Sequence, residues 1–224
     1  YTADVAQHIN ATMRNTWQLL NFLKNAERQH GILNCVNKFE YAKNGGVVST
    51  MVLVYQALHD YFHFGEKKLN KLQQCTQKRA EAFDNLSEDG KEKLFNSLRN
   101  ELLDNVLKMQ LVDDFIIHMI KMLRPNGKAR ETAQTAISLM YVLMTISLWK
   151  DFKFTKEDIE LIQKKIKDYV FVIRDNEDIN IYSFMKCLKL ECRQQFKSLE
   201  SYEAEYGRIN IGPKRAIYKL VVKI

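Results

Sequence analysis

Two prolines and eight glycines in 224 residues leave this chain few places where the backbone can turn sharply. Collagen-like, linker-rich and turn-dense all-β architectures need many such residues, so their scarcity points to helices. The expected fold class is all-α. At 224 residues, with 46% hydrophobic and 27% charged side chains, the chain is long and apolar enough to bury a core. Val47–Leu58 and Ala136–Trp149 are shorter than the roughly 20 apolar residues that cross a bilayer, and both contain polar positions. No membrane partner is expected.

Apolar periodicity places the helices. Val5, Ile9, Met13, Trp17, Leu20 and Leu23 recur at three- and four-residue steps, which predicts an amphipathic helix from Asp4 to about His30, ended by Gly31. Asn44-Gly45-Gly46 then reads as punctuation before an almost wholly apolar helix, Val47–Tyr61; a strand over Val47–Tyr55 is the alternative. Helices Glu66–Phe83 and Glu88–Lys108 follow, with Ser87 as the N-cap of the second, and Val112–Leu123 runs to a break at residues 124–127. Glu131–Trp149 is a second strongly apolar helix. Thr155 with Asp158 resembles a capping box that opens Lys156–Ile173, and Asp178 or Asn180 caps a long helix running to about Tyr206. Ile209–Ile224 is rich in β-branched residues and stays open between a short β element and other structure.

The halves echo each other. Laying residues 52–73 over 142–163, an offset of 90, makes six of 22 positions identical, among them Leu58/Leu148, Phe62/Phe152 and Phe64/Phe154. Gly65 and Thr155 share the slot of a helix N-cap. The repeated unit is a helix, a Phe-x-Phe corner wedged between helices, and a capped second helix. Two similar helical modules, residues 1–125 and 126–224, packed together, are therefore expected.

The first copy, Ala57-Leu-His-Asp-Tyr-Phe-His-Phe-Gly-Glu-Lys-Lys-Leu69, resembles an Ala-Leu-His-Asp-x-Phe-x-Phe-Gly-x-x-x-Leu pattern of small bacteriophage and prophage proteins from Gram-positive bacteria. The resemblance covers about 13 residues and carries no activity. It implies a context: a phage-borne protein working in the cytoplasm of a bacterial host.

The excess of 34 basic over 27 acidic residues gives +7, a balance suited to an acidic partner. Lys67, Lys68 and Lys71 in the first module and Lys164, Lys165 and Lys167 in the second could form equivalent basic patches, with solvated helix faces as the plainer reading. Lys214, Arg215 and Lys219 with Tyr218 form the densest basic stretch without acidic neighbours, and the first choice for a nucleic-acid contact. Cys35, Cys75, Cys187 and Cys192 fit free thiols rather than a disulfide framework or a zinc knuckle. His59 and His63 share a helical face at metal-ligand spacing, but a structural role is favoured, and neither metal nor cofactor is expected. No nucleophile elbow, phosphate-cradling glycine loop or other catalytic constellation is visible.

The expectation is thus a non-enzymatic phage accessory protein that binds a host protein or ribonucleoprotein. It would inhibit or redirect a defence or nucleic-acid-processing machine, comparable in kind to anti-CRISPR proteins. A direct DNA- or RNA-binding regulator and a self-associating assembly protein are the alternatives.

Overall fold

The computed structural model describes residues 38–211, apart from Asn126 and Glu177. The expected helix Asp4–His30 and the basic stretch with Lys214, Arg215, Tyr218 and Lys219 lie outside the described residues. Within them the chain is all-α. The order is α1 (Lys38–Phe62), α2 (Glu66–Glu81), α3 (Glu88–Asn105), α4 (Met109–Leu123), α5 (Lys128–Phe152), α6 (Lys156–Asp175), α7 (Ile181–Cys192) and α8 (Lys197–Tyr206).

Helices α1 and α5, each 25 residues and so about 37 Å long, form the centre. Both are apolar around much of their circumference, so neither can be satisfied by covering one face. Helix α2 packs on α5 and α6 on α1; α3 packs on α5 and α7 on α1, while α4 touches both central helices and α6. The main core, from Val52 and Leu58 to Tyr169 and Leu199, draws on both sides of residue 125. Among the described residues α5 is also the one helix long and apolar enough to cross a membrane, longer than the sequence run suggested, and 78% of that stretch is buried inside the molecule.

The Asn-Gly-Gly at 44–46 does not punctuate the chain. It lies inside α1, which starts at Lys38. The reason is the neighbour: a Cβ at Gly46 would stand 3.1 Å from the Ala133 carbonyl oxygen, 3.2 Å from Ile137 and 3.3 Å from the Ala136 methyl. Glycine costs a helix about 1 kcal/mol relative to alanine, and here it lets two helices close at a point lined by alanines. Gly46 meets Ala136 at one end and Phe62 meets Phe154 at the other, so α1 and α5 run in the same direction.

Both central helices end in the same way. His63 and Lys153 are left-handed, with φ of 54° and 61°, and the next residue, Phe64 or Phe154, donates its N–H to the carbonyl six back, Leu58 or Leu148, at 3.1 Å in each case. Gly65 and Thr155 then take extended caps for α2 and α6. The expected capping box at Thr155–Asp158 is present, and Ser87 accepts from the Gly90 N–H. The two corners meet: ring centroids lie 4.8 Å apart for Phe62–Phe154 and 5.3 Å for Phe64–Phe152.

The long helix expected up to Tyr206 is two. Asn180 caps α7 through Tyr182 and Ser183, as one of the two expected candidates, but α7 ends at Cys192. Arg193 turns left-handed at φ 54°, and Gln194 donates its N–H to Leu188 at 3.2 Å, a third corner built like the other two. No glycine or proline marks it, and this is why periodicity runs through it.

Replacing Gly46 with leucine should cost about 2 kcal/mol through overpacking against the α5 backbone. Gly45→Ala, whose methyl would meet only Leu123 at 3.6 Å, should stabilise by up to about 1 kcal/mol. Urea unfolding of both variants checks the pair.

Candidate functional site

The joined corners carry one group of lysines. On the exposed first turns of α2, the ammonium of Lys68 lies 5.1 Å from the Phe64 ring centre and that of Lys71 5.5 Å from Phe152. Lys67 is exposed beside them. None of the three has a carboxylate partner among the described residues. Several lysines elsewhere are engaged instead: Lys150 with Glu101 at 2.6 Å, Lys186 with Glu203 at 2.7 Å, Lys91 with Glu88 at 3.1 Å.

Lys164, Lys165 and Lys167 do not form a matching group. Lys165 is taken up between the Tyr61 ring, 4.5 Å away, and Asp168 at 3.7 Å. Lys164 and Lys167 turn the other way, onto a cavity of about 200 Å³ between α4 and α6 that Asp114, His118 and Glu160 also line. The offset of 90 explains the mismatch, because it sets Lys67, Lys68 and Lys71 opposite Glu157, Asp158 and Leu161. Phe115, in the cavity lining, stacks on Tyr141 at 4.3 Å, and the buried Gln163 amide has no hydrogen bond of good geometry among the described residues. Burial holds the Tyr141 phenol well above its usual range. A volume of this size accepts a side chain or a small planar group, below the range of drug-sized ligand pockets.

The histidines diverge. His63 points outward at its left-handed corner. His59 turns into the junction of α1 with α7, where Nε2–H donates to Glu191 Oε2 at 2.7 Å and Nδ1–H donates to the Phe64 carbonyl at 3.0 Å. The Cys192 sulfur stands 3.2 Å from Nδ1 and 3.7 Å from the same carbonyl. Sequence reading found no catalytic constellation; the fold brings a thiol, an imidazole and a carboxylate together across more than 130 residues. The available signal was a histidine next to an aspartate at the end of an otherwise apolar helix. Asp60 itself accepts from Gln56 at 2.8 Å and from the Tyr169 hydroxyl at 2.6 Å, tying α6 to the same end of α1.

Cys192, then Glu191 and the Phe64 carbonyl, hold the imidazole protonated against the opposing effect of burial, and its pKa is pushed up to about 10. The other described cysteines are free thiols in a different setting. Burial and then Asp151 push the Cys75 thiol up; burial, Glu191 and Asp60 push Cys187 up to about 12.

No family description matches the chain, and neither does a curated protein or a solved structure.

Because the folded pKa of His59 exceeds its unfolded value of 6.5, its stabilisation is complete below pH 6.5 and fades as the pH rises toward 10. The urea midpoint of the wild type should therefore fall between pH 7 and 10, and His59→Gln should flatten that part of the profile.

Proposed function

We propose that this chain is a non-enzymatic accessory binding protein of bacteriophage origin, acting in the cytoplasm of a bacterial host. It engages an acidic surface of a defence or nucleic-acid-processing machine and inhibits or redirects it. The observation that supports this reading is the corner lysine group. Lys67, Lys68 and Lys71 stand exposed on one helix without carboxylate partners among the described residues, and the ammonium groups of two lie over phenylalanine rings. Unpaired positive charge held on a rigid element is what steers and orients an acidic partner. The Phe-x-Phe-Gly sequence of the phage resemblance forms this same corner.

Descent of the two halves from one doubled unit belongs to the proposal. Its support is the six-position identity, the matching left-handed corners and the exchange of partners by which α2 lies on α5 while α6 lies on α1.

A second reading has a specific observation behind it. Helix α2 follows a tight corner and presents all three lysines outward, the arrangement a helix needs to enter a nucleic-acid groove. Affinity purification from a Gram-positive host lysate, with and without nuclease, separates the two. A host protein retained by the wild type after nuclease, and lost with Lys67→Glu/Lys68→Glu/Lys71→Glu, supports the inhibitor. Binding that disappears with nuclease and falls steeply with salt replaces it with the regulator. Identical retention by wild type and triple variant removes the lysine group from either reading.

A further inference from the structure

Nothing in the proposed binding role uses Cys192, His59 and Glu191, yet their arrangement follows the logic of an activated nucleophile: a thiol beside an imidazolium that a third group orients. Glu191 fixes one imidazole nitrogen at 2.7 Å, and the other faces the Cys192 sulfur at 3.2 Å. Beyond burial, Asp151 pushes the Cys75 thiol up, with Arg79 and Lys71 acting the other way, and Glu191 with Asp60 pushes up Cys187; neither thiol stands against an imidazole among the described residues.

We propose that Cys192 is a modification site, oxidised to the sulfenic acid by hydrogen peroxide or an alkyl hydroperoxide. The sulfur attacks the distal peroxide oxygen, the S–O bond forms and the O–O bond breaks. His59 gives its Nδ1 proton to the departing oxygen, which leaves as water or an alcohol, and the thiol proton restores the imidazolium. Sulfur is oxidised by two electrons and the peroxide is reduced by two. Glu191 is a positioning residue, holding the ring so that Nδ1 faces the sulfur.

Access is local. Cys192 is 1% exposed, but it is the last residue of α7, one position before the left-handed Arg193, at a corner held by the Gln194 N–H on Leu188 at 3.2 Å, the Gln194 amide on Asn70 at 3.1 Å, and the surface ion pairs Lys189–Glu200 at 3.5 Å and Arg193–Glu66 at 3.7 Å. Reaction requires the end of α7 to fray at this corner, an opening of the kind that helix ends undergo without global unfolding. Oxidation also has a structural consequence, because the added oxygen must enter the space between the sulfur, His59 Nδ1 and the Phe64 carbonyl, which lie 3.0 to 3.7 Å from one another. The modified corner cannot keep all three contacts.

The two roles for this cluster predict opposite orders of reaction. A merely structural cluster makes the half-buried Cys75 react before the buried Cys192. The full chain is treated with hydrogen peroxide at neutral pH, sulfenic acids are trapped with dimedone, and each cysteine is read by peptide mass spectrometry. Cys192 is expected to label about tenfold faster than Cys75 and Cys187. His59→Gln should remove that advantage, and Glu191→Gln should change the pH dependence of Cys192 labelling while leaving Cys75 unchanged, with circular dichroism confirming that each variant is folded. Labelling of Cys75 ahead of Cys192 in the wild type overturns the proposal whatever the variants do, and so does an unchanged Cys192 rate in a folded His59→Gln protein.

Discussion

Where α1 and α5 cross, a glycine on one helix faces the Ala133 carbonyl, the Ala136 methyl and the Ile137 side chain on the other, and the rest of the molecule is arranged around the close approach this permits. Two parallel helices that are apolar on most sides must be enclosed, and the connection from the end of one to the start of the other has to travel back along the pair. Helices α2, α3 and α4 make that return, and on the way they cover one flank of α5 and part of α1. Helices α6 and α7 then cover the opposite flank of α1. Because the central helices are parallel, their C-terminal corners fall at the same end. The Phe-x-Phe pairs therefore meet each other instead of separately wedging two modules.

That shared end is also where polar chemistry collects. The Asp60, His59 and Gln56 side chains leave α1 toward α6 and α7, and on the opposite flank Arg79 of α2 reaches Asp151 at 2.6 Å and Ser147 at 3.3 Å on α5. Helices α2, α3, α6 and α7 are thus each latched to a central one by a charged or hydrogen-bonded contact in addition to apolar packing. The left-handed residues His63, Lys153 and Arg193 carry backbone strain of roughly 1 kcal/mol each. The carbonyls they satisfy and the rings or helices they position make that strain tolerable.

Features written in local sequence were legible. The capping box at Thr155, the cap at Ser87 and the repeated Phe-x-Phe followed by a capped start all depend on neighbours within four residues, and all appear where periodicity and side-chain chemistry place them. Gly45-Gly46 was misleading because a glycine pair has two meanings, a break or a close contact, and only the small residues on a helix 90 positions away select the second. Arg193 left no mark because any residue can take a left-handed cap when the turn's hydrogen bonds repay it. The site was less readable than the fold. Lys165 looked equivalent to its neighbours until Tyr61 and Asp168 claimed it, and His59 paired with partners that no spacing rule connects to it.

The span of the His59 contact sets a constraint on how the protein is made. Its partner Glu191 lies 132 residues further along the chain. At a synthesis rate of roughly 5–20 residues per second, about 7–26 seconds pass between the two leaving the ribosome. Through that interval His59 is without its carboxylate, and the partner of Asp60, Tyr169 on α6, is made 22 residues before Glu191. The polar contacts at this end of α1 thus depend on segments made in the second half of the chain, α6 first and α7 after it.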